Sequence, residues 1–460
     1  MKAEVRTNLK PSGNEFIDGI PADWQAVPMK SLGWYASSGI DKKEQEDEPS
    51  VFMVNYMDIY GNASREISSS RPLMSTTCPA WKIKECSLQK GDLVFTPSSE
   101  TAEDIGLSAL ITEDLRNTVF SYHVLRFRFT NPVDQGFKKY LCNNSAVLHQ
   151  FSSVCQGSTR QILNRGEFRN AMVVIPPPAE QRTIAVFLDR ETGRMDRLVA
   201  KKLELIERLK EKRTALISCA VTRGLPPAAA RAAGLLENPL LKPSGHDWLG
   251  DIPAHWGVWK FTHFNPITTC GVASTPEYVD EGVPFLSAQN IKKNKVLFEN
   301  HKYISPEAHA ILTRNRRPLK GDVLLSRVGT IGEAAIVPDD REFSIFVSLT
   351  HIRVDPRICL NRYLVCYFGS AHFQQYVKVV TLFGGGVGNF NVNDLRELRV
   401  PLPDLPEQAA IVAYLDEQTA KLDALVAKVE TAVERLLEYR TALITAAVTG
   451  KIDIRKESAS

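Results

Sequence analysis

EQRTIAVFLDRETGRMDRLVAKKLELIERLKEKRTALISCAVT, residues 180–222, returns at 407–449 as EQAAIVAYLDEQTAKLDALVAKVETAVERLLEYRTALITAAVT, 227 positions later and without a gap. About half of the paired positions are identical, among them Leu198–Lys201 with Leu425–Lys428 and Arg213–Ile217 with Arg440–Ile444. Solenoid units run about 20–50 residues, so a repeat spaced this widely is a duplicated domain pair.

The duplication extends outward from these segments. Lys10-Pro11-Ser12-Gly13 matches Lys242-Pro243-Ser244-Gly245, and Ile20-Pro21-Ala22-Asp23-Trp24 matches Ile252-Pro253-Ala254-His255-Trp256, both at an offset of 232. Asp58-Ile59 falls on Asn290-Ile291 at that offset, Lys90-Gly91-Asp92 matches Lys320-Gly321-Asp322 at 230, and Ile105-Gly106 aligns with Ile331-Gly332 at 226. Each half therefore has one order, a variable globular region and then a well-matched segment.

The matched segments read as long helices. Ile184, Leu188, Met195, Leu198, Leu205, Leu209 and Leu216 keep a three-and-four rhythm in the first. Ile411, Leu415, Leu422, Leu425, Val429, Leu436, Tyr439 and Leu443 keep it more cleanly in the second. This is the heptad pattern of a coiled-coil seam, with Glu, Lys, Arg and Asp between. Prolines stand only at the entrances, Pro176-Pro177-Pro178 and Pro401, Pro403, Pro406, where a helix tolerates them.

The variable regions carry short strand-like runs, such as Thr118–Phe127 and Asp322–Ser326, punctuated by Gly, Asn, Asp and Pro. They read as α+β domains. Pro226–Gly234 reads as a connector in which Ala228–Ala233 has the composition for a helical turn.

At 460 residues the chain has room for two to four domains. A net charge of +3 requires any nucleic-acid surface to be local. Eight cysteines without a CxxC pair, no run of 18 apolar residues and a polar start predict reduced thiols and a cytoplasmic location. No catalytic pattern emerges. Gly384-Gly385-Gly386-Val387-Gly388 lacks the Lys-Ser/Thr of a phosphate loop, and no metal-ligand spacing occurs. Pro338-Asp339-Asp340 has no acidic-x-Lys partner to make a nuclease cluster.

Pro401-Leu402-Pro403-Asp404-Leu405-Pro406-Glu407-Gln408, with Ile175-Pro176-Pro177-Pro178-Ala179-Glu180-Gln181 in the first half, resembles the boundary signature of the DNA-specificity subunit of type I restriction-modification systems. The Ile-Pro-x-x-Trp openings, the Lys-Gly-Asp strands and Val283–Ile291 fit the same family, and Ala179 in place of the proline at Pro406 is a small departure. The resemblance implies an α+β fold with two tandem target recognition domains separated by two long antiparallel coiled-coil helices, in pseudo-two-fold internal duplication. The first domain would span residues 1–170, the central helix region 171–225, the connector 226–242, the second domain 243–400 and the second helix region 401–455. It further implies a non-catalytic subunit that binds double-stranded DNA at a bipartite asymmetric target and docks two methyltransferase subunits and restriction/translocase subunits. S-adenosylmethionine, ATP and Mg2+ would belong to those partners, with no cofactor on this chain.

Base reading favours Arg on guanine and Asn or Gln on adenine. The loops offer candidate DNA-contacting residues: Asn62, Arg65, Arg71, Gln156, Arg160 and Gln161 in the first half. Those in the second are Gln289, Asn290, Lys292, Lys293, Arg327, Asn389 and Asn391. The alignment of Asn290 with Asp58 also suits a turn residue. Two copies of one partner need two similar docking sites, so the shared Glu180, Gln181, Glu207, Arg208 and Arg213, with Glu407, Gln408, Glu434, Arg435 and Arg440, are the candidate docking residues. A rival reading is an interaction scaffold with two binding modules on a coiled coil that does not read DNA.

Overall fold

A computed structural model describes residues 4–273, 275–314, 316–383 and 390–455. The matched segments are helices, Pro178–Arg223 and Leu405–Val448. The chain divides into two compact units, Met1–Lys202 with Thr431–Ser460, and Leu203–Glu430. Each long helix thus contributes to both units, its first part to one and its last part to the other.

In the first unit a five-stranded sheet has the order Gly33–Ser37, Leu125–Phe129, Leu93–Phe95, Ser108–Ile111, Glu66–Ile67. In the second unit a four-stranded sheet has the order Ile267–Cys270, Leu349–Arg353, Val323–Ser326, Ala334–Ile336. The first four strands correspond one to one. A second small sheet repeats as well: Ser50–Val54 pairs in parallel with Thr118–Phe120, and Val283–Leu286 pairs in parallel with Ser344–Ile345. The duplication therefore reaches into regions whose sequences have drifted too far to align. The run Thr118–Phe127 is not one strand: it breaks at Ser121–Val124 and feeds two different sheets.

Sequence shared by the two halves marks the joints. Asp92 and Asp322 each close a turn, accepting from the Gln89 and Leu319 backbone N–H groups, and each binds an arginine two strands on, Arg128 or Arg353. Asp322 is 4% exposed and also accepts from His351 Nε2 at 2.7 Å. Burial alone would raise its pKa, but the bonds from Arg353, His351 and Leu319 N–H outweigh it and hold it at about 2. A depressed carboxylate stabilises the fold above its unfolded pKa and loses that contribution as pH falls through the folded value. Acid titration of unfolding is expected to show the second unit losing about 2 kcal/mol between pH 4 and pH 2. Arg353→Leu should shift that loss to higher pH, and an unmoved acid limb would contradict the assignment.

The long helices lie antiparallel within each unit. Arg440 binds Asp196 at 2.8 Å in the first, and Arg213 binds Asp423 at 3.0 Å in the second, each pair being the 227-residue image of the other. The apolar rhythm serves two purposes. Ile184, Leu188, Met195 and Leu443 join the core of the first domain, and Ile217, Ile411 and Leu415 join that of the second. Away from those cores the seam is narrower than the heptad reading has it. Leu198, Leu205, Leu425 and Tyr439 are 42–56% exposed, while Ile206, at 5%, takes the buried position beside Leu205. The connector forms the short helix Pro227–Ala232. Among the described residues no helix is long and apolar enough to cross a membrane.

Near the beginning of the chain, Glu4–Val5 pairs antiparallel with Ile452–Asp453, and Arg6 binds both Glu180 and Asp453.

Candidate nucleic-acid interface

In the first unit the short helix Tyr56–Tyr60 is a hub. At its start the Asn55 N–H donates to Asp58 Oδ2 at 2.8 Å, and Tyr56 stacks on Tyr60 with ring centroids 5.2 Å apart. Arg71 Nε donates to Asp58 Oδ1 at 3.1 Å, and the Arg160 guanidinium lies 5.7 Å from the Tyr56 ring. Arg65 Nη1 donates to the Ile59 carbonyl, and the side chain turns inward to a cavity of about 390 Å3 that Arg440 and Asp196 also line. Burial and the nearby Arg440 lower its pKa. Arg160 belongs to a tight loop in which Gln156 pairs with Ile162 through its backbone and Gln161 Nε2 donates to the Gly157 carbonyl. Gly157 has φ +134°, and a Cβ there would sit 2.0 Å from the Arg160 carbonyl oxygen, so the loop needs glycine at that corner.

In the second unit the equivalent turn is Ala288–Asn290. Gln289 is exposed and donates to the Asn300 carbonyl, and Lys292 and Lys293 are exposed on the hairpin that follows. Asn391 is exposed and caps the helix Val392–Glu397.

Several candidate residues are taken up inside the fold. Asn62 is 4% exposed; it donates to the Glu66 carbonyl and accepts from Ser64. Asn290 is 1% exposed; it accepts from Ser287 N–H and donates to the Leu297 and Glu299 carbonyls, which makes it a turn residue, as its alignment with Asp58 allows. Arg327 is buried and donates from Nε to the Phe390 carbonyl. Asn389, with Gly384–Gly388, lies outside the described residues.

The docking candidates divide in the same way. Gln181 and Gln408 are buried clamps. Gln181 accepts from Asp134 N–H and donates to the Pro176 carbonyl; Gln408 accepts from Leu360 N–H and donates to the Ile358 and Pro403 carbonyls. Glu407 is buried against His255 Nε2 at 2.9 Å, and Glu180 binds Arg6. Arg213 and Arg440 join helix to helix. Glu207, Arg208, Glu434 and Arg435 remain exposed on the helices.

Two features went unread in sequence. The Tyr56–Tyr60 pair stands at helical spacing in a stretch with no other helical signal. Lys295 completes the run Lys292-Lys293-Asn294-Lys295, and the hairpin sets it directly opposite Lys292.

The family model of the type I restriction modification DNA specificity domain matches residues 21–208 and 267–435. The chain belongs to that family. The type I restriction enzyme EcoBI specificity subunit of Escherichia coli is 24% identical over 352 residues, covering 74% of this chain and 67% of that protein. The putative type I restriction enzyme MjaX specificity subunit of Methanocaldococcus jannaschii is 23% identical over 461 residues, covering 95% and 96%. A chain solved in work on complex assembly and conformational transition of the type I R-M system shares the fold with a TM-score of 0.67 at 16% identity, covering 94% and 99%. Specificity subunits are non-catalytic, so the chemistry of such a system lies on other chains.

Proposed function

We propose that each unit of this specificity subunit reads one half of a bipartite, asymmetric target in double-stranded DNA. Two methyltransferase subunits dock on exposed helix faces, one in each unit, at Glu434 and Arg435 in the first and at Glu207 and Arg208 in the second, and restriction subunits join the same complex. S-adenosylmethionine, ATP and Mg2+ belong to those partners. The observation that carries this reading is one scaffold with two chemistries: matching strand order, but Tyr56, Arg71 and Arg160 around one turn and Gln289, Lys292 and Lys293 around the other. Unlike side chains on like supports suit unlike half-sites, because base contacts specify while phosphate contacts position. Arg71, Gln156, Arg160 and Gln161 are the DNA-contacting residues of the first unit; Gln289, Lys292, Lys293 and Asn391 are those of the second.

The chain assembled with its methyltransferase partners is expected to bind duplex bearing its methylated sequence at least ~1000-fold more tightly than unrelated duplex, and more weakly as salt rises. Equal affinity for the two duplexes would sink the reading and favour a scaffold that does not read DNA.

A further inference from the structure

Ile291–Lys292 and Lys295–Val296 form a two-residue hairpin with Lys293 and Asn294 at its tip. Their φ angles are +50° and +59°, the geometry of a type I′ turn, which favours Asn-Gly. Asn tolerates the left-handed region; lysine does so poorly. Lys292 and Lys295 stand directly opposite across the strands, an arrangement in which like charges repel. All three lysines are exposed, and none is in an ion pair among the described residues, although Glu333 is near enough to Lys292 to feel its charge. Packing does not ask for any of this. The hairpin base is meanwhile held firmly: Asn290 bonds the Leu297 and Glu299 carbonyls, and Leu297 N–H bonds the Asn290 carbonyl. A rigid stalk with a net cationic tip, three exposed lysines against the nearby Glu333, breaks local rules that a polyanion would relieve.

The corresponding stretch of the first unit, Ile59–Glu66, has no such tip. Its one cation, Arg65, turns inward to the Ile59 carbonyl.

We infer that the Lys292-Lys293-Asn294-Lys295 hairpin is a phosphate anchor: it grips the DNA backbone without reading sequence, and it makes the second unit the stronger source of sequence-independent affinity. This rests on the DNA-reading function proposed above, and within it assigns Lys292 and Lys293 to backbone contact. Each phosphate neutralised adds about 0.9 to the slope of log affinity against log salt.

The test uses the full chain assembled with its methyltransferase subunits and two probes, a mixed-sequence duplex and the methylated target. Lys292→Gln with Lys293→Gln and Lys295→Gln should lower the salt slope by about two to three on both probes and leave the methylated sequence unchanged. Lys293→Gly, which suits the left-handed turn, should lower the slope by about one while thermal stability holds or rises. An unchanged slope overturns the proposal. So does an altered half-site, which would mean base reading, or weakened assembly with unchanged DNA binding, which would mean a protein contact. If the unsubstituted assembly binds neither probe, the DNA-reading function itself fails.

Discussion

Gln408→Ala destabilises the second unit by about 3–5 kcal/mol, a large part of the roughly 5–15 kcal/mol that keeps a domain folded. The substitution strands the Leu360 N–H and the Ile358 and Pro403 carbonyls in a site where the glutamine was fully buried. A buried donor or acceptor left without a partner costs about 1–3 kcal/mol, and the vacated volume adds to it. Gln181→Ala should cost less, about 2–4 kcal/mol, because it strands only the Asp134 N–H and the Pro176 carbonyl. Urea unfolding of both variants, with amide exchange at Leu360 and Asp134, measures the two joints separately. Losses under about 1 kcal/mol in both would show that the glutamines are not the clamps of these helix starts.

Exchanging residues 1–170 for the same segment of another specificity subunit should replace one half-site of the target and leave the other intact. The joint favours this outcome. Beside the apolar packing of Ile184, Leu188, Met195 and Leu443, the first domain meets its helices through a repeated set of polar contacts: Gln181 to Asp134 N–H, Lys139 to Asp189, and Thr445 accepting from Ser145 N–H. The second domain uses the images of these, Gln408 to Leu360 N–H, Arg362 to Asp416, and Ser218 accepting from Ala371 N–H. A domain that brings its own partners for those three points can be seated without rebuilding the helices. Methylome sequencing of a host carrying the exchanged chain with its methyltransferase partners reads the result directly. Each base pair mismatched to a reading head costs about 1–3 kcal/mol, so the old half-site should fall to background. A change in both half-sites, or in neither, would end the modular reading.

The duplication and the long helices were legible because repetition and apolar rhythm are properties of order along the chain. Orientation was not. The rhythm marks Leu205 as a seam residue, yet Ile206 is the one buried, since a helix rotates by 100° per residue and the pattern does not resolve one step. The Glu-Gln pair looked like a docking signature because it is shared and polar. Its glutamine is shared because each domain must be tied to its helix by the same hydrogen bonds. Asn62, Asn290 and Arg327 have side chains suited to base reading, but composition does not show whether a polar side chain faces solvent or a nearby carbonyl. The four-strand order common to both units left almost no trace in sequence, because a sheet needs alternation and volume and not particular residues.

The pairing of Glu4–Val5 with Ile452–Asp453 makes by hydrogen bonds a crossing that is covalent elsewhere in the chain. After Val221-Thr222 the backbone runs covalently through the connector to Lys242-Pro243-Ser244-Gly245. After Val448-Thr449 the same step, on to Lys10-Pro11-Ser12-Gly13, is made by hydrogen bonds between two short strands and by Arg6. One crossing is peptide and the other is paired, yet they join corresponding points. A break in the strand pair would therefore open a crossing that no peptide bond holds.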